Sequence, residues 1–168
     1  MGGPSEEAEV SRRTGAAIAE ALVSKGYKAQ TLELNPRTVL KDIDSLGGEV
    51  VFNAIHGRYG EDGALQGLLE MAEIPYTGSG IMARAVGMNK KVSKDVFKGA
   101  NIPTARSESY NGNLESAEAI IDHIRKEFTI PVVVKSATHG SSIGVIIVRE
   151  ESQLEAAVTE ALKYDPIL

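Results

Sequence analysis

The stretch Glu49-Val-Val-Phe-Asn-Ala-Ile-His-Gly-Arg-Tyr-Gly-Glu-Asp-Gly63 decides the fold class. Residues 49–55 form a short β-branched and aromatic run, which is typical of a buried strand. Beyond the turn at residues 56–63, a helix is predicted to begin near Asp62, because apolar residues recur at helical spacing: Leu65, Leu68, Leu69 and Ala72. An extended path resumes at residues 74–77. This succession of strand, helix and strand predicts a parallel α/β sheet covered on both faces.

The segments before this stretch continue the same alternation. Residues 10–25 carry apolar side chains on one helical face, and Gly26 follows where a helix would stop. Residues 27–34 alternate imperfectly between apolar and polar, which favours a short strand, and a short helix is predicted over residues 36–46. We therefore expect a Rossmann-like parallel sheet in the first part of the chain.

The pattern changes after Gly80. Helices are predicted near residues 81–86, 90–98, 114–128 and 154–162, and strands near residues 104–110, 130–135 and 145–148. The second unit is predicted to begin near residue 84, which gives two domains, residues 1–83 and residues 84–168.

Both ends of the chain are expected to be cut. A doubly wound unit usually opens with a strand that runs into its glycine-rich turn, yet this chain opens on the turn itself, at residues 1–3. The other end, residues 165–168, follows a predicted helix and carries an apolar pair that indicates the start of another strand. The first domain is therefore expected to lack its first strand.

Composition excludes several classes of function. A formal net charge of −5 disfavours general attraction to nucleic acid or to an acidic membrane surface. No apolar stretch approaches the ~20 residues needed to span a bilayer, and the N-terminus lacks a signal pattern. The absence of cysteine excludes disulfides and thiolate metal sites. We expect a folded cytoplasmic protein that binds neither nucleic acid nor a membrane.

Two glycine-rich turns near the N-terminus are candidate ligand sites. Residues 2–11 lead into a helix, whose free backbone N–H groups favour an anion, and a carboxylate there can hold an ammonium group. A plain helix cap explains the same residues. Residues 56–63 contain three glycines beside His, Arg, Glu and Asp, after a strand, where open α/β sheets bind ligands. A structural turn is the alternative.

Lysines mark two further candidates. Lys135 begins a Gly/Ser loop, residues 135–144, between two predicted strands, and such a loop offers donors to phosphate oxygens. It is not a Walker loop, because no Gly-Lys-Ser/Thr ends it, and a hairpin without a ligand is the alternative. Lys90, Lys91 and Lys94 form the other candidate, for which a solvated helix face is the simpler explanation.

In this order and at these spacings, the residues resemble the D-alanine–D-alanine ligase family of the ATP-grasp superfamily, over essentially the whole chain. The most specific segment is His56–Gly67, and Gly2–Ser11, Gly87–Lys91 and Lys135–Gly144 support it. The resemblance implies a Rossmann-like pre-ATP-grasp domain followed by the α+β central subdomain of an ATP-grasp fold. It also implies that the C-terminal catalytic half of the family is missing and that the chain alone is inactive.

The resemblance further implies ATP-dependent ligation of two D-alanine molecules through an acylphosphate, for peptidoglycan synthesis. ATP is accompanied by Mg²⁺ or Mn²⁺, whose ligands are expected beyond Leu168, and the full-length protein is expected to be a homodimer. The implied catalytic residues are Glu7 and Ser141, the implied D-alanine contacts are Glu7, His56, Glu61 and Ser141, and the implied ATP contacts are Lys90, Lys135, Gly140, Ser141 and Ser142.

One departure and two alternatives accompany this interpretation. Where the family often has Glu-Arg-Glu in its opening motif, this chain has Ala8 between Glu7 and Glu9. We expect only a local change in stability, because Glu7 remains. Another ATP-grasp ligase, such as one that makes D-alanyl-D-lactate, fits the same residues. A non-catalytic α/β module that binds a nucleotide or an anion is the alternative from a different class.

Overall fold

The computed structural model describes residues 1–140 and 144–168. These residues form two compact units, Met1–Gly87 and Met88–Leu168. Among the described residues, no helix is long and apolar enough to cross a membrane.

The first unit contains four helices: α1 (Ala8–Ser24), α2 (Val39–Leu46), α3 (Ala64–Met71) and α4 (Ile81–Met88). Two of them end at glycines in the left-handed conformation, which a residue without a Cβ adopts at little cost. Gly26 follows α1 with φ +86°, and Gly47 ends α2 with φ +62°. Residue 84, where the second domain is predicted to begin, lies within α4.

The three predicted strands of this unit are wrong as regular strands. Residues 28–35, 52–56 and 74–75 form no regular strand. Parallel pairing is limited to an isolated bridge between Val51 and Tyr76 and to the backbone of Met1, which donates to Leu32 O at 2.8 Å and accepts from Leu34 N at 2.9 Å. Two backbone N–H groups that would pair with a neighbouring strand bond to side chains instead. Asn53 N donates to Thr77 Oγ1 at 3.1 Å, and Ile55 N donates to Asn53 Oδ1 at 3.0 Å.

The core of the first unit lies between these extended segments and two helices. Its buried members come from α2, α3 and the extended backbone: Leu34, Val39, Ile43, Ile55, Leu65 and Leu69. Leu69 is completely buried, as the spacing of apolar residues after the turn at residues 56–63 predicts. The core therefore fixes both segments that flank this turn.

The second unit contains helices α5 (Lys90–Gly99), α6 (Ala117–Glu127) and α7 (Leu154–Ala161), a 3₁₀ turn (Glu151–Gln153), and strands β1 (Val132–Lys135) and β2 (Val145–Val148). The strands pair antiparallel, with Val132 opposite Val148 and Lys135 opposite Val145. The strand predicted near residues 104–110 is wrong, because only Tyr110 at its end pairs, through two backbone hydrogen bonds with Leu168.

Helices α6 and α7 cover one face of the β1–β2 hairpin. The buried side chains of this core are Tyr110, Ile120, Ile121, Ile124, Val134, Val148, Leu154, Ala157, Val158 and Ala161. The hairpin thus holds Lys135 at the end of β1, immediately before the Gly/Ser loop.

Candidate functional site

The opening turn of the first unit is tied down by a buried serine. Gly2 N donates to Ser11 Oγ at 2.7 Å, and Ser11 Oγ donates to the carbonyl of Ala54 at 2.8 Å. Ser11 is fully buried in α1. This one hydroxyl therefore connects the glycine-rich turn to the backbone just before His56. Sequence reasoning missed this role, for which the only local signal is a small polar residue near the start of a helix.

Glu7 lies directly against the turn at residues 56–63. It precedes α1, is only 8% exposed, and its Oε2 lies 2.6 Å from where a Cβ on Gly57 would stand. Gly57 also has φ +71°, a conformation that favours glycine. Ser5 Oγ donates to the carbonyl of His56 at 2.9 Å, which adds a second contact between the two turns.

The turn at residues 56–63 also carries His56 and Glu61. Gly57 N donates to Glu61 Oε2 at 2.9 Å, and His56 Nε2 lies 3.3 Å from Thr14 Oγ1. Asp62 has a different role, because its carboxylate accepts from the backbone N–H groups of Tyr59 and Ala64 at 2.9 and 3.0 Å at the start of α3.

Two carboxylates of the first unit therefore lie against one glycine. Glu7 and Glu61 both contact Gly57, and His56 is its neighbour in the chain. Carboxylates accept hydrogen bonds only, so such a group suits a small cation with several N–H donors, such as an ammonium.

In the second unit, Lys90 faces the loop that follows β1. Its backbone N–H donates to the carbonyl of Ala137 at 2.9 Å, and its Nζ donates to the carbonyl of His139. Burial and then the charge of Lys135 lower the pKa of Lys90, and Asp165 partly opposes this shift. Two cations held near one another are unfavourable unless an anion accompanies them, so the pair suits a phosphate.

The other two lysines of the predicted cluster, Lys91 and Lys94, have ordinary surface roles. Lys91 pairs with Asp95 at 2.7 Å, and both side chains are more than half exposed. Lys94 donates to Thr104 Oγ1 at 3.0 Å and to the carbonyl of Ala105 at 2.7 Å. The solvated-face interpretation therefore holds for these two residues but not for Lys90.

The Gly/Ser loop is described only at its ends. Ser141 and Ser142 lie outside the described residues. Gly140 is half-buried, and Ser136 N donates to the carbonyl of Gly144 at 3.0 Å. Gly144 has φ +64°, and a Cβ there would lie 2.5 Å from Ser136 Oγ, so this position requires glycine.

Asp165 holds the first half of this loop. Its carboxylate accepts from Thr138 N at 2.8 Å, Thr138 Oγ1 at 2.6 Å and Ile167 N at 2.9 Å. Burial opposes ionisation of Asp165, but these hydrogen bonds outweigh it, and its pKa lies below the ordinary value. Asp165 was not predicted as a site residue, because its partner Thr138 lies 27 residues away in the sequence.

Asp165→Asn is expected to destabilise the second unit by about 2 kcal/mol at pH 7, because hydrogen bonds to a charged acceptor are lost. The folded pKa of Asp165 is depressed, so its contribution is present above the unfolded pKa and is lost as pH falls through the folded pKa. Urea unfolding at pH 7 and at pH 3 measures this, and the variant should differ less from wild type at pH 3. An equal difference at both pH values would contradict the prediction.

Two family profiles match the chain. The profile described as D-ala D-ala ligase N-terminus matches residues 32–79, and the profile described as D-ala D-ala ligase C-terminus matches residues 96–168. The D-alanine--D-alanine ligase of Moorella thermoacetica is 46% identical over 171 residues, which is 98% of this chain and 54% of the relative. This chain belongs to the D-alanine–D-alanine ligase family. The family relative from Geotalea uraniireducens is 45% identical over 98% of the chain and 51% of its own length.

Solved structures of this ligase family have the same fold. A D-alanine--D-alanine ligase from Bacillus anthracis superposes with a TM-score of 0.81 and 31% identity, over 99% of this chain and 53% of that one. The same protein complexed with ATP gives a TM-score of 0.81, and the Coxiella burnetii ligase gives 0.79 at 27% identity. These matches confirm the predicted mixed α/β architecture of the ATP-grasp family. The chain spans about half the length of the ligases it matches.

Proposed function

We propose that the complete protein to which these residues belong joins two D-alanine molecules to D-alanyl-D-alanine at the expense of ATP. The observation that carries this proposal is that Glu7 and Glu61 both lie against Gly57, the residue after His56, in a chain of the ligase family. D-Alanine presents an ammonium and a carboxylate a few ångströms apart. The two carboxylates suit the ammonium, which leaves the carboxylate of the substrate to react.

The reaction proceeds in two balanced steps. A carboxylate oxygen of the first D-alanine attacks the γ-phosphorus of ATP, the bond to the β-phosphate oxygen breaks, and ADP leaves. The neutral amine of the second D-alanine then attacks the acyl carbon, the bond to phosphate breaks, and the amine loses a proton. In this scheme Glu7 orients the first ammonium, with His56 and Glu61 beside it, because positioning small substrates is a large part of the rate enhancement.

Lys90 and Lys135 supply positive charge to the phosphates. Burial and the mutual repulsion of the two lysines disfavour the charged form of Lys90, and a bound polyphosphate reverses this effect. Such charge stabilises a transferring phosphoryl group. Ser141, Ser142 and Gly140 are proposed to complete the phosphate loop, with Ser141 also reaching the substrate, as the family resemblance implies.

The described residues offer no ligand set for the metal that the resemblance implies. Among residues 1–140 and 144–168, no group of three or more His, Cys, Asp or Glu side chains is placed to hold a metal ion. We therefore derive no step through Mg²⁺ or Mn²⁺ from these residues.

The proposal includes the cellular role, location and oligomeric state of the enzyme. D-Alanyl-D-alanine is a building block of peptidoglycan, so the complete protein is proposed to act in the cytoplasm in cell-wall synthesis, as a homodimer. The negative net charge supports small-molecule substrates over nucleic acid or an acidic membrane.

A chimera tests this function. The chain replaces the aligned segment of the Moorella thermoacetica ligase, to which it is 46% identical, and phosphate release is measured with ATP and D-alanine. Glu7→Gln in the chimera is expected to raise the KM for the first D-alanine about 10- to 100-fold and to leave the KM for ATP unchanged, because one charged hydrogen bond is lost.

Glu9→Gln is the matched control, because Glu9 belongs to the same motif but is 73% exposed and pairs only at the surface, with Arg12 at 3.5 Å. Its kinetics should equal those of the wild-type chimera. A wild-type chimera that folds by circular dichroism but releases no phosphate contradicts the proposed function. An unchanged KM for D-alanine in Glu7→Gln contradicts the role of Glu7.

A further inference from the structure

The carbonyl oxygen of Gly60 accepts three side-chain hydrogen bonds. The donors are Asn53 Nδ2 at 2.8 Å, Gln66 Nε2 at 3.0 Å and Arg84 Nη1 at 2.9 Å. A carbonyl oxygen has two lone pairs, so three strong donors on one oxygen saturate it. We call these three side chains the Gly60 clamp.

The three donors come from three different elements. Asn53 lies in the extended segment before His56, Gln66 lies in α3 and Arg84 lies in α4. The guanidinium of Arg84 also donates from Nε to the carbonyl of Ser79 at 3.0 Å, so its orientation is fixed at two points. The clamp thus ties the turn at residues 56–63 to elements on both sides of it in the sequence.

The burial of Gln66 in the Gly60 clamp costs stability. Its side chain is fully buried, and its Oε1 has no hydrogen-bond partner among the described residues. An unpaired buried acceptor is destabilising. An apolar side chain of the same size would avoid this cost, so the polar amide is explained by the contact that its other atom makes with Gly60.

The clamp acts on the peptide unit that leads into Glu61. The carbonyl of Gly60 and the N–H of Glu61 belong to one planar group, so fixing this oxygen also orients the Glu61 N–H, which donates to the carbonyl of Gly57 at 2.9 Å. Glu61 Oε2 accepts from Gly57 N at 2.9 Å, and Gly57 lies against Glu7. A shift of the Gly60 peptide is therefore expected to displace Gly57 and the two carboxylates beside it, Glu7 and Glu61.

From this geometry we infer that Asn53, Gln66 and Arg84 are positioning residues that set the affinity of the first D-alanine subsite through the Gly60 carbonyl. This inference rests on the proposed function, because it assumes that Glu7 and Glu61 face D-alanine. None of the three residues touches the substrate in this scheme, and each acts through Gly60 and Glu61.

Kinetics of the chimera with Gln66→Met, Arg84→Met and Arg84→Lys test the inference. Gln66→Met and Arg84→Met are expected to raise the KM for D-alanine ~10-fold, the factor that corresponds to about one hydrogen bond, and to leave the KM for ATP unchanged. Arg84→Lys keeps a donor and should recover part of the affinity. Arg13→Met, at an exposed arginine of the same unit, is the matched control and should behave as wild type.

Stability separates positioning from a merely structural role. Gln66→Met removes the unpaired Oε1 together with the donor, so its urea midpoint is expected to equal that of wild type while the KM for D-alanine rises. A structural role alone predicts a lower midpoint and an unchanged KM, and that result overturns the inference.

Hydrogen exchange in the 168-residue chain makes the test independent of turnover. In Arg84→Met and Gln66→Met, the Gly57 amide is expected to exchange ~10-fold faster, because its bond to Glu61 is loosened, while amides of α7 are unchanged. Faster Gly57 exchange beside a wild-type chimera without activity supports the clamp and rejects the proposed function. An active chimera whose variants keep the wild-type KM for D-alanine rejects the clamp.

Discussion

Gly60→Ala is expected to lower the free energy of unfolding of the first unit by about 3 kcal/mol, the upper part of the range for overpacking. A Cβ at this position would lie 2.5 Å from Ile55 Cβ and Cγ2, and 2.6 Å from the carbonyl oxygen of Ile55. The oxygen belongs to the backbone, so it cannot move aside by a change of rotamer. Relief of the clash must shift the Gly60 peptide and thereby weaken the three hydrogen bonds of the Gly60 clamp.

The same change is expected to raise the KM for D-alanine in the chimera, because the turn carrying Glu61 moves. Gly87→Ala is the matched control, since this glycine lies in α4 of the same unit and a Cβ there would meet nothing within 4 Å. It is expected to be neutral or to stabilise the unit by up to ~1 kcal/mol through helix propensity. The measurement is the urea dependence of hydrogen exchange at amides of α3, and equal stability of the two variants would contradict the prediction.

The sequence predicts the helices well because their signals are local. The apolar spacing after residue 62 predicts α3, and the spacing over residues 154–162 predicts α7, whose bounds are Leu154–Ala161. The two strands of the hairpin were also predicted, since β-branched runs flank a Gly/Ser loop there. A short amphipathic element needs only its own residues to be recognised.

The sequence could not show that these strand-like segments lack regular pairing, because pairing depends on residues elsewhere in the chain. Residues 27–34 have a strand-like composition, yet the described residues give them no regular ladder. In the segment before His56, the side chain of Asn53 binds its own backbone two residues on, at Ile55 N. Composition records the preference for extended backbone but not which groups accept its hydrogen bonds.

The candidate site likewise contains one part that is visible in the local sequence and one part that is not. The motif at residues 56–63 indicates a ligand site through its density of charged residues and glycines, and in the structure Glu7 and Glu61 both lie against Gly57. The hydrogen bonds that support this site could not be predicted from the sequence, because they join residues far apart in the chain. Ser11 binds the carbonyl of a residue 43 positions away, and Arg84 binds one 24 positions away. Neither side chain stands out from its local surroundings.

Lys135→Ala is expected to lower kcat/KM for ATP in the chimera about 100-fold or more, the loss typical of removing one group that stabilises transition-state charge. The KM for D-alanine should stay unchanged, because Lys135 is proposed to contact only ATP, and Glu7, His56 and Glu61, which are proposed to hold the first D-alanine, belong to the first unit. Lys91→Ala is the matched control, since Lys91 is half exposed and pairs with Asp95, a kind of pair worth ~0.5 kcal/mol or less. An unchanged kcat/KM for ATP in Lys135→Ala would remove Lys135 from the proposed site.

The unliganded chain should respond to Lys135→Ala in the opposite sense. The folded pKa of Lys90 is depressed by burial and by Lys135, so charged Lys90 costs stability below that pKa, and the cost disappears as pH rises through the ordinary value. Removing Lys135 removes one cause of the depression, so the pKa of Lys90 rises and the cost at pH 7 falls. Thermal unfolding without nucleotide should therefore show an equal or higher Tm in Lys135→Ala, while ATP raises the Tm of wild type more than that of the variant. A lysine kept only for stability would give a lower Tm on removal, so the paired measurements distinguish a phosphate-binding charge from a structural one.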